Sequence, residues 1–407
     1  MIPSRAPAWN RRDALLAFGL LLGANVGIVL RQNGSLVALL GTATLSAAVA
    51  LFIWWLAMSS VGLRIPARAA AWLLAVMWLA LTAVNLLVPD EVDVRADRDD
   101  ALDLAAWELI AGRDPWAVST QIHETHHPSP GFGGIALAAP FAVVLRDSSW
   151  QNILWLALAL VLVVRMAGMG SGVAAAGLLV ASPTFWNEWI FQSDLLVLGV
   201  KLAIGMLWGL YAMRSSGWLG FTASAVFFAF ALADRFLFLA VAVVVAASAF
   251  RGVPIRRTLP WLVISGGATV ALMAVPWLLA PGYRDQVLLN IAKSSEAGGV
   301  IPHAGAILGV VLVVLAAVLG WLARSDAGLV GAAGVTVAVV VVWQIVLYSL
   351  SAGSLAVTGS LAVAYTGVML VFGIGFLVLP RDNSITGVSY RQVLTRTAPP
   401  RTDSPPA

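Results

Sequence analysis

Apolar runs of about 20 residues recur along almost the whole chain, and roughly 20 helical residues span the hydrocarbon core of a bilayer. In lipid each run must satisfy its own backbone hydrogen bonds, so the runs are expected to fold as helices. Hydrophobic residues make up 60% of the 407 residues and charged residues 11%, against about 45–50% and about 25% in soluble domains. A water-soluble globule is excluded, and the fold class is all-α: a polytopic membrane protein. The absence of cysteine removes disulfides, thiolate ligands and thiol nucleophiles, so chemistry must come from carboxylates, Arg, His, hydroxyls or a bound ion. The net charge of +4 does not point to nucleic acid, because the bases sit where a membrane topology places them.

Arg5, Arg11 and Arg12 before a long apolar run predict an uncleaved signal anchor. Further spans are expected over roughly 35–58, 69–88, 132–145, 153–166, 195–213, 218–233, 236–250, 259–280, 303–323, 327–350 and 356–379, with 171–181 too short to cross alone. The bias of Arg and Lys toward cytoplasmic loops tests this division. With the N-terminus inside, Arg64, Arg68, Arg146, Arg214, Arg251, Arg256, Arg257, Arg324 and the bases of the tail all face the cytoplasm, provided 151–191 makes one net crossing. The expectation is about 12 crossings in the plasma membrane, with both termini cytoplasmic. Residues 1–380 then form a single transmembrane domain, with an acidic extracytoplasmic loop at 89–131 carrying short surface helices and a second outer loop at 281–302. The tail 381–407, rich in Pro, Ser, Thr and Arg, has too little apolar surface to fold and is expected to be disordered.

Ten of the 20 acidic residues fall between Asp90 and Glu124, against only Arg95, Arg98 and Arg113. Asp97, Asp99, Asp100 and Asp103 lead into a short helix whose apolar face is Leu102, Ala105, Ala106 and Leu109; Asp99 and Asp103 share another face one turn apart. Such a helix is expected to lie on the membrane surface. Clustered carboxylates there can hold a divalent cation, or one can serve as general base; the alternative is a solvated acidic loop. His123 to His127 spells H-E-x-x-H, the zinc-protease pattern, yet Pro128 and Pro130 disfavour the helix that pattern needs. Metal contact by His126 and His127 stays open beside a plain loop. Asp194 opens a span, and Lys201, seven residues on, falls on the same face about 10 Å deeper. A cation at that depth should face a cavity or a partner. Asp234 and Arg235 separate two apolar runs at the same outer level, and Lys293 lies in the later outer loop. Of the 17 Trp, the outer Trp107, Trp116, Trp186 and Trp189 could stack on a sugar ring.

The segment from Asp99 to Trp116, with Ala105-Ala106, Gly112 and Pro115, resembles the first outer loop of GT-C glycosyltransferases, in particular the polyprenyl-phosphate-sugar-dependent mannosyltransferases and their relatives. Asp103 stands where an aromatic is usual, Trp116 replaces Tyr, and His127-Pro128-Ser129-Pro130 stands where Tyr-Pro-Pro is common. The similarity continues loosely at Ser182-Pro183, at Gln192-Ser193-Asp194 and at Ala233-Asp234-Arg235. It implies an outward cavity that receives a polyprenyl-phosphate sugar donor from the membrane and a glycan or glycolipid acceptor from the aqueous side. Asp99 falls on the family's catalytic aspartate, as general base or metal ligand, with Asp194 as a second catalytic carboxylate. Arg235 and Lys201 would bind phosphate, Trp116 would contact sugar or lipid, and Asp100, Asp103, Asp234 and Lys293 complete the substrate-binding set. Membrane lipids are the remaining partners, nucleic acid is not one, and the one cofactor the resemblance leaves open is a divalent cation.

The rival readings are a secondary transporter or lipid flippase that uses Asp194, Lys201 and Asp234 as an ion relay, and a non-catalytic GT-C-like assembly protein. Transporters tend to place their sites near the midplane between paired repeats, whereas no repeat is visible here. Replacing Asp99→Asn should lower sugar transfer by about 100-fold or more while the chain still inserts. Transfer from a radiolabelled polyprenyl-phosphate sugar in membranes checks this, and full activity in the variant refutes the role.

Overall fold

The computed structural model of the chain describes residues 15–25, 36–58, 66–87, 98–119, 127–190, 192–296, 303–352 and 365–381. All regular structure among them is helical. In chain order the helices are α1 (Leu15–Asn25), α2 (Leu36–Met58), α3 (Ala67–Leu87), α4 (Arg98–Ile110), α5 (Phe132–Leu145), α6 (Trp150–Ala167), α7 (Met169–Val180) and α8 (Pro183–Ile190). They continue with α9 (Asp194–Ser215), α10 (Trp218–Leu232), a single 3-10 turn at Phe236–Phe238, α11 (Leu239–Gly252) and α12 (Ile255–Leu279). The last four are α13 (Pro281–Glu296), α14 (Ala304–Leu322), α15 (Asp326–Ala352) and α16 (Thr366–Val378). Among the described residues, six helices are long and apolar enough to cross a membrane, or seven if α7 and α8, bent by 75°, count as one span. Exposed leucines and valines cover α12 and α14, as in Leu278 at 76% and Val310 at 66%. In water such a surface would aggregate; facing lipid it carries no penalty.

The main core joins α1, α6, α7, α9, α10, α11, α15 and α16 around Leu198, Leu202, Met206, Phe228, Val244 and Phe372. α9 is the central helix, buried along most of its length. At one end of the bundle Arg257 donates to the Ser216 carbonyl at 2.6 Å, Arg251 donates to the Trp321 carbonyl, and the Ala327 amide meets the Pro380 carbonyl at 3.4 Å. Arginines there satisfy carbonyls that helix ends leave open.

At the other end a separate apolar cluster forms a cap. It takes Leu102, Ala105 and Ala106 from α4, Trp116 from the turns that follow α4, Ile135 and Ala138 from α5, and Tyr283 from α13. The apolar face expected for α4 is thus the buried one, and it packs on α5. α5 itself departs from the expected topology. Its first residues meet the end of α10, where the Gly131 amide donates to the Asp234 carbonyl at 2.6 Å. The turn after it meets α4 and the end of α3: the Ser148 amide donates to Asp103 at 2.7 Å, and Asn85 donates to Ser149 at 3.3 Å. Asn152 then donates to the Ser193 carbonyl, next to Asp194. Both ends of α5 therefore lie at one end of the bundle, and 132–145 does not run its length. Arg146 falls at that end, not at the opposite one. The physical reason is the partner: α4 offers an apolar face, and α5 covers it. α6 and the bent pair α7–α8 make two passes where one was expected, so the direction of every later helix is unchanged. The outer segment 281–302, expected as a loop, contains α13, whose first turn is tied to Asp114 by the Gly282 amide at 2.8 Å.

The break between α7 and α8 is held by α1. Ser182 donates from its hydroxyl to the Asn25 side-chain oxygen at 2.6 Å, the Thr184 amide donates to the same oxygen at 3.3 Å, and the Thr184 hydroxyl donates to the Ala24 carbonyl at 2.7 Å. Asn25 thereby caps α8 from another helix.

Gly112, part of the GT-C-like pattern, has a local reason to be glycine. The Arg113 amide bonds the Glu108 carbonyl at 2.9 Å and the Gly112 amide bonds the Leu109 carbonyl at 3.1 Å, a Schellman ending that places Gly112 at φ 69°. The fork of Arg113 closes on the Glu108 carboxylate at 2.5 and 2.6 Å and holds that carboxyl below its usual range. Nothing lies within 4 Å of a Cβ at Gly112, so Gly112→Ala should lose about 1 kcal/mol from left-handed backbone strain alone. Denaturant unfolding of the purified protein measures it, and a loss beyond about 3 kcal/mol would mean a packing role instead.

Candidate active site

Two helix ends build the charged centre. Ser193 caps α9, accepting from the Leu195 amide at 3.3 Å, and Asp194 follows in the first turn, where the helix dipole favours an anion. The preceding α8 ends in its own Schellman pattern, with Gln192 in the left-handed region at φ 50° and the Ser193 amide bonded to the Glu188 carbonyl at 2.8 Å. The chain thus turns sharply into α9 and presents Asp194 at the end of the bundle. α10 stops at Leu232; Asp234 follows, then Arg235 in extended backbone, before the 3-10 turn into α11.

Four charges meet there. Arg235 Nη2 lies 3.4 Å from Asp194 Oδ2, Arg235 Nη1 3.6 Å from Asp234 Oδ1, and Lys201 Nζ 3.9 Å from Asp234 Oδ2. The side chains of Lys201 and Asp234 are 1% exposed, that of Asp194 2% and that of Arg235 11%. Lys201 reaches back toward the end of the bundle because helical side chains tilt toward their N-terminus. Two cations and two anions sum to zero, which is what permits burial. Tyr365, edge-on to Phe238 at 5.7 Å, also reaches Arg235. The cap comes very close: a Cβ at Gly134 would stand 2.4 Å from Asp234 Oδ1, and one at Gly133 would stand 2.0 Å from the Phe230 carbonyl. Only glycine lets α5 approach the carboxylate in this way.

The structure brings together Asp194, Lys201, Asp234 and Arg235 of the expected site residues. Asp103 is nearby but occupied, accepting from the Ser148 amide; through Asn152 and Ser193 it is linked to the start of α9. Asp99 and Asp100 lie by backbone in the first turn of α4, one turn before Asp103, and their side chains fall outside the described residues. So do the side chain of Lys293, in the last turns of α13, and the whole of His126. His127 is exposed, with its Nδ1 2.9 Å from the Val118 carbonyl. No three His, Asp or Glu side chains gather as a metal-holding group among the described residues. Trp116 is 2% exposed, donates to the Pro130 carbonyl at 2.9 Å and sits 4.6 Å from the Tyr283 ring. It packs the cap, and Trp189 is likewise buried, donating to the Leu81 carbonyl. Trp107, at 44% exposed, remains the open one.

Sequence reasoning passed over Gln151, Asn152, Glu188 and Tyr365. Glu188 is 2% exposed; it shows in the sequence only as a lone carboxylate in an aromatic stretch. Below the charges, α6, α7, α9, α15 and α16 leave a small apolar cleft of about 70 Å³. It begins at Val200, beside Lys201, and runs past Ile204 and Leu207 to Leu379 near the opposite end.

No protein-family model matches the chain, nor does any curated protein or solved structure.

Removing one partner of a buried pair leaves an uncompensated charge and costs about 3–5 kcal/mol. Lys201→Met should therefore be strongly destabilising, and Lys201→Met with Asp234→Leu should recover most of the loss. Unfolding of the wild type, each single variant and the double variant in mixed detergent micelles reads this, and a double-variant loss equal to the sum of the two single losses would show that the pair does not couple.

Proposed function

We propose that the chain is an integral-membrane glycosyltransferase of the GT-C kind, moving a sugar from a polyprenyl-phosphate donor to a glycan or glycolipid on the outer face of the plasma membrane. The buried, self-neutralising group of Asp194, Lys201, Asp234 and Arg235 carries the reading. It sits at the end of the bundle beneath a helical cap, where a lipid-borne phosphate at the bilayer surface would arrive. In this reading α1, α2, α3, α6, the pair α7–α8, α9 to α12 and α14 to α16 make about 12 crossings, and α4, α5 and α13 form the outer layer. Arg251, Arg257 and Arg324 then face the cytoplasm, in keeping with the positive-inside rule.

The chemistry follows from the parts. A carboxylate of the α4 segment, Asp99, takes the proton of the acceptor hydroxyl, whose oxygen attacks the anomeric carbon from the side opposite the phosphate. The anomeric C–O bond breaks, polyprenyl phosphate departs with the electron pair, and the configuration inverts. Arg235, with Lys201 behind it, stabilises the charge that develops on the leaving oxygen. The 3.4 Å separation of Arg235 from Asp194 is longer than a tight charged hydrogen bond, so the guanidinium can turn to a phosphate oxygen without losing a strong contact. The small apolar cleft that starts beside Lys201 is in keeping with a lipid-borne donor.

A secondary transporter is the second reading, favoured by the Lys201–Asp234 contact inside the bundle, which at 3.9 Å is loose enough to open and close as a relay. One preparation separates them. In proteoliposomes, wild-type protein should transfer sugar from a polyprenyl-phosphate donor without an ion gradient, and Arg235→Ala should lower transfer by about 100-fold or more. Solute uptake that follows an imposed ion gradient, with no transfer, would establish the relay instead.

A further inference from the structure

The junction between the starts of α6 and α9 holds a second set of buried polar side chains that the charge cluster does not use. Gln151 and Asn152, in the first turn of α6, are 1% and 3% exposed. Asn152 donates from Nδ2 to the Ser193 carbonyl at 3.3 Å and so joins the two helix starts. Three buried oxygens at this junction, Gln151 Oε1, Asn152 Oδ1 and Asp194 Oδ1, have no protein donor among the described residues. One turn deeper on α6, Trp155 Nε1 is a buried donor with no protein acceptor among the described residues, and the indole stands 5.4 Å from the Phe227 ring.

Protein interiors leave few polar atoms unmatched, so three acceptors and an indole donor around one junction call for a ligand with matching groups. A metal ion fits poorly. Arg235 is 3.4 Å from Asp194, the four charges already cancel, and a further cation would be buried without a counter-charge. Hydroxyl groups both donate and accept, and the apolar edge of a sugar ring packs on an indole. We infer that Gln151, Asn152, Asp194 and Trp155 form a subsite for a polyhydroxylated ligand, the sugar ring of the donor whose phosphate faces Arg235. The inference rests on the glycosyl-transfer reading and adds the residues that would distinguish a glycosylated lipid from a bare one.

Binding to the full chain in nanodiscs tests it with two probes, a polyprenyl phosphate carrying one hexose and the same polyprenyl phosphate without sugar. Wild-type protein should prefer the glycosylated lipid by about 10-fold or more. Asn152→Leu and Gln151→Met should keep wild-type affinity for the bare lipid and lose that preference, while Arg235→Ala weakens both lipids. Asn152→Leu also removes the bond to Ser193, so Gln151→Met, which keeps that bond and the side-chain shape, decides if the first variant fails to fold. An unchanged preference in Gln151→Met overturns the subsite, as does wild-type protein that binds both lipids equally while Arg235→Ala binds neither. Wild-type protein that binds neither lipid overturns the glycosyl-transfer reading, and the subsite with it.

Discussion

Charges at the end of a lipid-facing bundle have to be neutralised, and here the neutralisation runs between helices. α9 brings Asp194 and Lys201, α10 and its turn bring Asp234 and Arg235, and each pair is neutral by itself. The contacts nevertheless cross: Arg235 faces Asp194, and Lys201 faces Asp234. Crossed pairing fixes the register of α9 against α10 in a way that apolar packing, which tolerates small slides, does not. Around that fixed point the rest is arranged. The start of α5 reaches Asp234 through Gly131 and Gly134 and Phe230 through Gly133, α6 is pinned to the start of α9 by Asn152, and Tyr365 approaches Arg235 just ahead of α16.

The end of the bundle separates its polar groups by charge. Ionised side chains gather where α9 meets α10, and amides gather where α6 meets α9. Asp194 belongs to both groups, with one oxygen toward Arg235 and the other without a protein donor among the described residues. In the glycosyl-transfer reading, the charged part would face a phosphate and the amide part a sugar, with the apolar cleft beginning at Val200 lying beneath them.

Much of this was legible from sequence because it depends on scarcity. Ionisable residues inside apolar runs are so rare that Asp194, Lys201, Asp234 and Arg235 stood out, and counting crossings put them at one common level, where the structure brings them together. The buried face of α4 was legible from its spacing. Other features were not, for reasons that are physical. A 14-residue apolar helix has the composition of a span, and only the hydrogen bonds of Gly131 and Ser148 reveal that its two ends share one end of the bundle. Trp116 looked like a ligand platform because an outer tryptophan has that chemistry, yet its fate was set by Tyr283, 167 positions away in a segment expected to be a loop. Gln151 and Asn152 gave no signal, since amides at a helix start are ordinary until their burial is known.

The latch between α1 and the α7–α8 break carries a temporal consequence. A membrane protein is synthesised from its N-terminus, so Asn25 is made before the residues that complete its hydrogen bonding, Ser182 and Thr184, which follow by 157 and 159 positions. Until they emerge, the Asn25 side-chain carbonyl lacks those two donors, and a polar group left unmatched away from water is costly. The packing of α1 is therefore not finished when α1 is made. It waits for the arrival of α8, which makes the assembly of this bundle depend on closure between α1 and the α7–α8 break.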